Sequence, residues 1–128
     1  ALANSGLGMA HGVAAALGVH CQVPHGLACA LMLPIAMHAN RDVNGPLLEV
    51  ARWINGDACD DPAASIETAI EKVRGINQQV GIPARLREIG VGSEQIPDIV
   101  RSSRGNSMNG NPRVIEDDEL TAILTDNF

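Results

Sequence analysis

The first 40 residues carry no formal charge. No Asp, Glu, Lys or Arg precedes Arg41, and all nine basic and fifteen acidic residues lie from Arg41 onward. A segment of that length without charge is hard to place on a surface, so it reads as two helices buried by the rest of the chain or by something beyond it. Aromatic residues are almost missing too: Trp53 and Phe128 stand alone, with no tyrosine. A sandwich or barrel usually draws on aromatic and β-branched residues, so this composition favours packed helices. Lysine occurs once, at Lys72, and the net charge is -6. With the arginines scattered, that balance excludes nucleic acid and an anionic membrane surface as partners. No CxxC pairing exists among Cys21, Cys29 and Cys59. An odd count without motif spacing suggests reduced thiols in a cytoplasmic protein. The early residues are mostly Gly and Ala, too weakly apolar for a membrane span of roughly 20 residues, and they show no signal or transit pattern.

At 128 residues the chain fits a single domain, 1–128, able to bury a core of modest size. It begins at Ala rather than Met, as a piece of a longer or processed protein would. Apolar periodicity and breakers place a first helix over about Leu2 to Leu17, stopped by Gly18, with small residues Gly8, Gly12 and Ala16 in a row one turn apart. Glycine costs roughly 1 kcal/mol per helix position against alanine. The row therefore implies close approach of a backbone or a ligand. A loop over 18–24 leads to a second helix from His25 to about His38, which Pro34 should kink or divide. Pro46 starts a third, with Leu47, Leu48, Val50, Ala51 and Ile54 on its apolar face. Asp61-Pro62 opens a longer one, striped by Ile66, Ala69, Ile70, Val73 and Ile76 and ended by Gly81. "GIPARLREIG" reads as a short helical turn, and Ser93 as the cap of a helix over 94–102. "RGNSMNGNPR" reads as a loop, and a last helix covers about 116–126. No strand with clean alternation and no repeat appears, so the class is all-α.

The histidines His11, His20, His25 and His38 all lie in the charge-free segment. A single histidine on an apolar face is more often a satisfied core residue than a ligand. His20, read as a loop residue, and His38, near a helix end that favours partial positive charge, take that reading. His11 and His25 differ as a pair. One is expected mid-helix beside Gly8 and Gly12, the other follows Pro24 and opens the next helix. Two packed helices joined by a short loop can point both imidazoles into one cleft, and imidazole suits Zn(II) or Fe(II). Two histidines are too few, since a closed zinc site takes four ligands and a catalytic one three plus water. Cys21 and Cys29 lie near them and leave a thiolate ligand open, although a free cysteine is usually a small buried apolar residue. The residues alone reach half a metal site and stop there.

Residues 4–34, "NSGLGMAHGVAAALGVHCQVPHGLACALMLP", resemble the signature of the iron-containing (group III) alcohol dehydrogenases. Asn4, Gly8 to His11, Leu17-Gly18, Pro24-His25-Gly26 and Leu33-Pro34 fall in register with it. The tail "GNPRVIEDDELTAIL" is similar to the family's closing loop and helix through Gly110, Asn111, Pro112 and Arg113. The resemblance covers essentially the whole chain, more loosely over 60–105. It implies the all-helical C-terminal domain of the dehydroquinate synthase-like fold, with an α/β nucleotide-binding domain upstream. In the family an Asp and three His hold the metal between the two domains, and His11 and His25 take the places of two of them. The other ligands, and the glycine-rich loop for NAD or NADP, would lie before Ala1.

What the resemblance implies is a metal-dependent oxidoreductase on small alcohols, aldehydes or ketones, holding Fe(II) or Zn(II). The metal would act as a Lewis acid on the substrate oxygen while hydride moves to or from the nicotinamide. It also implies a homodimer in the cytoplasm, and an isolated chain without activity. One departure stands out. Many members carry a second His one turn after the first, where this chain has Ala15. A proton relay there is lost, so water or another group serves, or the substrate class differs. Leu2 and Ser107 align with positions that face the pocket in relatives. Maleylacetate reductase-like or glycerol dehydrogenase-like chemistry stays open, although P-H-G after G-x-x-H favours the alcohol dehydrogenase branch. An inactive helical interaction module is the alternative from a different class.

Overall fold

The computed structural model describes residues 7–41, 45–56 and 61–128. Within them the secondary structure is helical throughout, in seven α-helices and two 3-10 turns. They are α1 (Met9–Cys21), α2 (His25–Ala39), α3 (Pro46–Asn55), α4 (Pro62–Gln79), the turns Leu86–Ile89 and Ser93–Gln95, α5 (Ile96–Ser102), α6 (Asn106–Asn109) and α7 (Asp117–Asp126). No described helix is long and apolar enough to cross a membrane. The main core gathers Met9, Val13 and Leu17 of α1 with Leu31, Met32 and Ile35 of α2. Leu86, Ile99, Met108, Leu120 and Leu124 close over them. A second, smaller core joins Met37 at the end of α2 to Ala51 of α3 and Ile66, Ala69 and Ile70 of α4. Aliphatic and methionine side chains fill both, as the shortage of aromatics requires.

Several boundaries differ from those the sequence implies. α1 starts at Met9 and passes through Gly18 to Cys21. Gly18 has no bulky neighbour to avoid, and the chain turns instead at Gln22, which adopts a left-handed conformation at φ 56°. Gly8, at φ 79°, precedes the helix rather than sitting within it. Pro34 does not divide α2, which continues as one helix to Ala39. A proline removes the N–H that would bond the carbonyl four residues back. Here Asn77 of α4 donates its side-chain amide to that Ala30 carbonyl at 2.7 Å, so the gap in the ladder is filled from outside. Val50, Ile54 and Ile76 are exposed rather than packed, because they lie off the faces that α3 and α4 bury against each other and against α2. Ser93 caps nothing. The entry to α5 is held by Gln95, whose side-chain oxygen accepts from Gly92 N–H at 2.8 Å. The expected loop over 104–113 contains the short helix α6, and its Gly-Asn-Pro-Arg end is a clasp. Asn111 and Asn40 exchange paired amide bonds, Met9 N–H donates to Asn111 Oδ1 at 3.1 Å, and Arg113 Nε donates to the Ala39 carbonyl at 2.9 Å. The tail thereby ties the start of α1 to the end of α2.

Candidate metal centre

The geometry begins at the turn after α1. Val23 is buried, and its N–H donates to the Leu17 carbonyl at 3.4 Å, so residues 22–24 fold back along the helix they have just left. Pro24 then caps α2. His25 consequently starts its helix beside α1, and its ring comes to rest edge-on to that of His11, with centroids 4.5 Å apart and planes at 78°. His11 lies in the first turn of α1, not at mid-helix, because the helix begins at Met9. It is half-buried, and His25 is exposed. The small-residue row plays a supporting part: a Cβ on Gly12 would stand 3.0 Å from the Ser103 carbonyl. The close approach is therefore that of the backbone just after α5, and it fixes the helix turn that carries His11.

Cys29 completes the cluster. It follows His25 by four residues and so shares its helix face. Its Sγ lies 3.4 Å from His25 Nε2 and 3.8 Å from His11 Nδ1. One donor atom from each of the three side chains falls within 4.8 Å of the others. Burial pushes the Cys29 thiol above its ordinary value. Two imidazoles and a sulfur form a donor set that suits a divalent transition metal, so the residues present fit the ion that the resemblance implies. The spacing from His25 to Cys29 was a signal in the sequence, outweighed there by the usual inertness of free cysteine.

The remaining histidines have structural partners. His20 belongs to the last turn of α1 rather than to a loop, and its Nε2 is 2.7 Å from Ser102 Oγ. His38, near the end of α2, bonds to the Arg41 guanidinium. Cys21 donates to Gln95 Oε1 at 3.4 Å, away from the imidazole pair. Ala15 is exposed one turn beyond His11 and offers no proton carrier. Ser107 is half-buried in α6, where its carbonyl accepts from Gly8 N–H at 2.7 Å. Leu2 and Asn4 of the signature, and Cys59, lie outside the described residues. The face of the α1–α2 hairpin that bears Ala15, Val19, Pro24, His25 and Gly26 is uncovered, with Val19 76% exposed. Over its described residues, 7–40, the charge-free segment is thus buried on one side only.

The model of the Fe-containing alcohol dehydrogenase family, C-terminal part, matches residues 1–128. Lactaldehyde reductase from Escherichia coli K12 is 36% identical over 115 residues, covering 86% of this chain and 30% of that protein. 1,3-Propanediol dehydrogenase from Klebsiella pneumoniae is 29% identical over 129 residues, covering 98% and 33%. The crystal structure of a 1,3-propanediol oxidoreductase superposes with a TM-score of 0.84 at 28% identity, over 95% of this chain and 33% of the other. A sulfoacetaldehyde reductase from Bifidobacterium kashiwanohense, solved in complex with NAD+, superposes with a TM-score of 0.72 at 30% identity, over 94% and 30%. The chain spans about a third of the length of the curated relatives it matches.

Proposed function

Because the chain belongs to the iron-containing alcohol dehydrogenase family, whose C-terminal model matches its whole length, we propose that it is the metal-holding helical part of a larger oxidoreductase. That enzyme would interconvert small alcohols with their aldehydes or ketones, using NAD or NADP bound mainly by an N-terminal domain. The observation that carries the reading is the convergence of His11 and His25, whose rings meet although 14 positions and a helix turn-back separate them. A satisfied core histidine has no need of a second imidazole at that distance. The names of the relatives, reductases and dehydrogenases of small hydroxy and carbonyl compounds, supply the substrate class.

When bound at this cluster, a divalent metal supplies Lewis-acid polarisation of the substrate oxygen. The chain's own residues hold and aim it. His11 is fixed by the tight seating of Gly12 against Ser103, and His25 by the Pro24 cap. The uncovered apolar face around Ala15 and Val19 is the surface an upstream domain would cover, which would exclude water from the reacting groups. With alanine at position 15, the proton of the alcohol leaves through water or through a group outside this chain.

The test uses the full-length protein. His11→Ala and His25→Ala should each lower bound metal and abolish most turnover with an aldehyde and a reduced nicotinamide, with the helical circular dichroism retained. Metal content equal to wild type in both variants would overturn the reading. The isolated 128 residues should be inactive in the same assay. Turnover by them would show that no upstream domain is required.

A further inference from the structure

His11 is the third residue of α1 and so lies in its first turn. There a helix has N–H groups without partners of its own and frays most readily. A metal ligand in such a turn is held no better than the turn itself. α1 has no cap of its own: Gly8 precedes it without a side chain, and no acidic residue lies in its first turn. By contrast α4 is capped from within, where Asp61 accepts the Ala63 N–H at 3.1 Å. The cap of α1 comes from 102 positions along the chain, where Asn111 Oδ1 accepts the Met9 N–H at 3.1 Å. One residue earlier, the Gly8 N–H donates to the Ser107 carbonyl at 2.7 Å. We propose that Asn111 is a positioning residue for the metal centre: as the remote cap of α1 it holds the turn that presents His11, and so sets the affinity of the site for its ion. The proposal deepens the metal-centre reading above and rests on it.

The Asn111 carboxamide can act in only one orientation. Its Nδ2 donates to Asn40 Oδ1 at 2.9 Å and to the Arg113 carbonyl at 2.8 Å, and its Oδ1 also accepts from Asn40 Nδ2 at 3.2 Å. Both hydrogens of the amine end are thus taken by acceptors, and a flipped amide would set N–H groups against the Met9 N–H. The backbone beneath is placed as well, with Asn111 N–H donating to the Met108 carbonyl at 2.9 Å. The seat at Gly12 acts on the residue after His11 and leaves those before it to this cap. Without the cap the first turn would be ordered for only part of the time. An ion that needs His11 would then bind with an affinity reduced by that fraction. His25 stands on the other helix, behind Pro24, and would stay in place.

The test uses full-length protein stripped of metal by a chelator, with Zn(II) as the probe. In the unsubstituted protein, hydrogen exchange resolved to single amides should find the Met9 N–H protected, as it would not be at the open start of an uncapped helix. Free exchange there would overturn the proposal without recourse to any variant. Asn111→Ala should weaken Zn(II) binding about three- to thirtyfold, the equivalent of a lost cap. It should also speed exchange over residues 9–11 and leave residues 28–32 of α2 unchanged. Ile70→Val, a truncation in the second core away from α1, lowers stability but should leave Zn(II) affinity as it was. An equal loss of affinity in both variants would overturn the proposal, because the ion would then be sensing general destabilisation. Unchanged Zn(II) binding in Asn111→Ala, with His11→Ala still lowering it, would also overturn it and leave the histidine centre standing. Unchanged binding in Asn111→Ala and His11→Ala alike would overturn the centre as well.

Discussion

Gly12 is the residue on which the placing of His11 turns. A Cβ there would meet the Ser103 carbonyl at 3.0 Å, and backbone at the end of α5 cannot rotate away as a side chain tip can. Gly12→Ala should therefore destabilise the domain by about 1–3 kcal/mol from overpacking, less up to about 1 kcal/mol of helix propensity. Thermal unfolding read by helical circular dichroism should show a loss of several degrees; an unchanged or raised Tm would mean that the two helices separate freely. Glu119 offers a pH-dependent counterpart. Its carboxyl lies below the usual value because Arg113 donates to its ionised form, with Nη1 to Oε2 at 3.0 Å. A depressed carboxyl contributes stability above its unfolded value and loses it as pH falls through the folded one. Glu119→Gln should lower Tm slightly at pH 7, and the gap should close below about pH 4. A gap that persisted there would show that packing, not charge, holds the clasp. An ion pair this exposed contributes less than about 1 kcal/mol, so the measurement needs matched buffers. At this scale the sequence showed the histidine pair, because two imidazoles in an uncharged stretch are conspicuous. It did not show the Asn40–Asn111 pairing, since no spacing reveals which distant amides will meet across 71 positions.

Among the elements, α2 depends on α4 for its continuity. Asn77 supplies the donor that Pro34 cannot, and the bond lies part-buried. Asn77→Leu should cost about 1–3 kcal/mol by leaving the Ala30 carbonyl unsatisfied. In a Pro34→Ala background the helix regains its own N–H, and the same substitution should cost far less. A double-mutant cycle in urea should return a coupling above about 0.5 kcal/mol; additivity would mean that the Ala30 carbonyl is satisfied in some other way. This is also why the helix break expected at Pro34 does not occur. Proline's local effect is readable, but a side chain 47 positions away that cancels it is not. Helix starts marked by proline, Pro46 and Pro62, stand where the sequence puts them because the fixed φ acts locally. α1 starts later than expected because Gly8 adopts φ 79°, with its N–H donated to the distant Ser107 carbonyl at 2.7 Å rather than to anything near it in sequence.

The whole molecule is asymmetric. One flank of the hairpin is sealed by α5, α6 and α7, and the other carries His11, His25 and Cys29 beside an open apolar surface. The all-helical class was legible because composition and breakers act throughout the chain. The side on which the uncharged segment stays open was not, because it depends on which later helices reach it. The satellite core of α3 and α4 meets the rest mainly through α2. On α3 sits Trp53, 74% exposed and the chain's one tryptophan, in a protein without tyrosine. Optically, then, this domain has a single lamp, hung outside. Its emission should already lie to the red in the folded state and should report poorly on collapse of the main core. It should shift to the blue only when something settles over α3, so the emission spectrum distinguishes a contact at that helix from an event at the imidazoles.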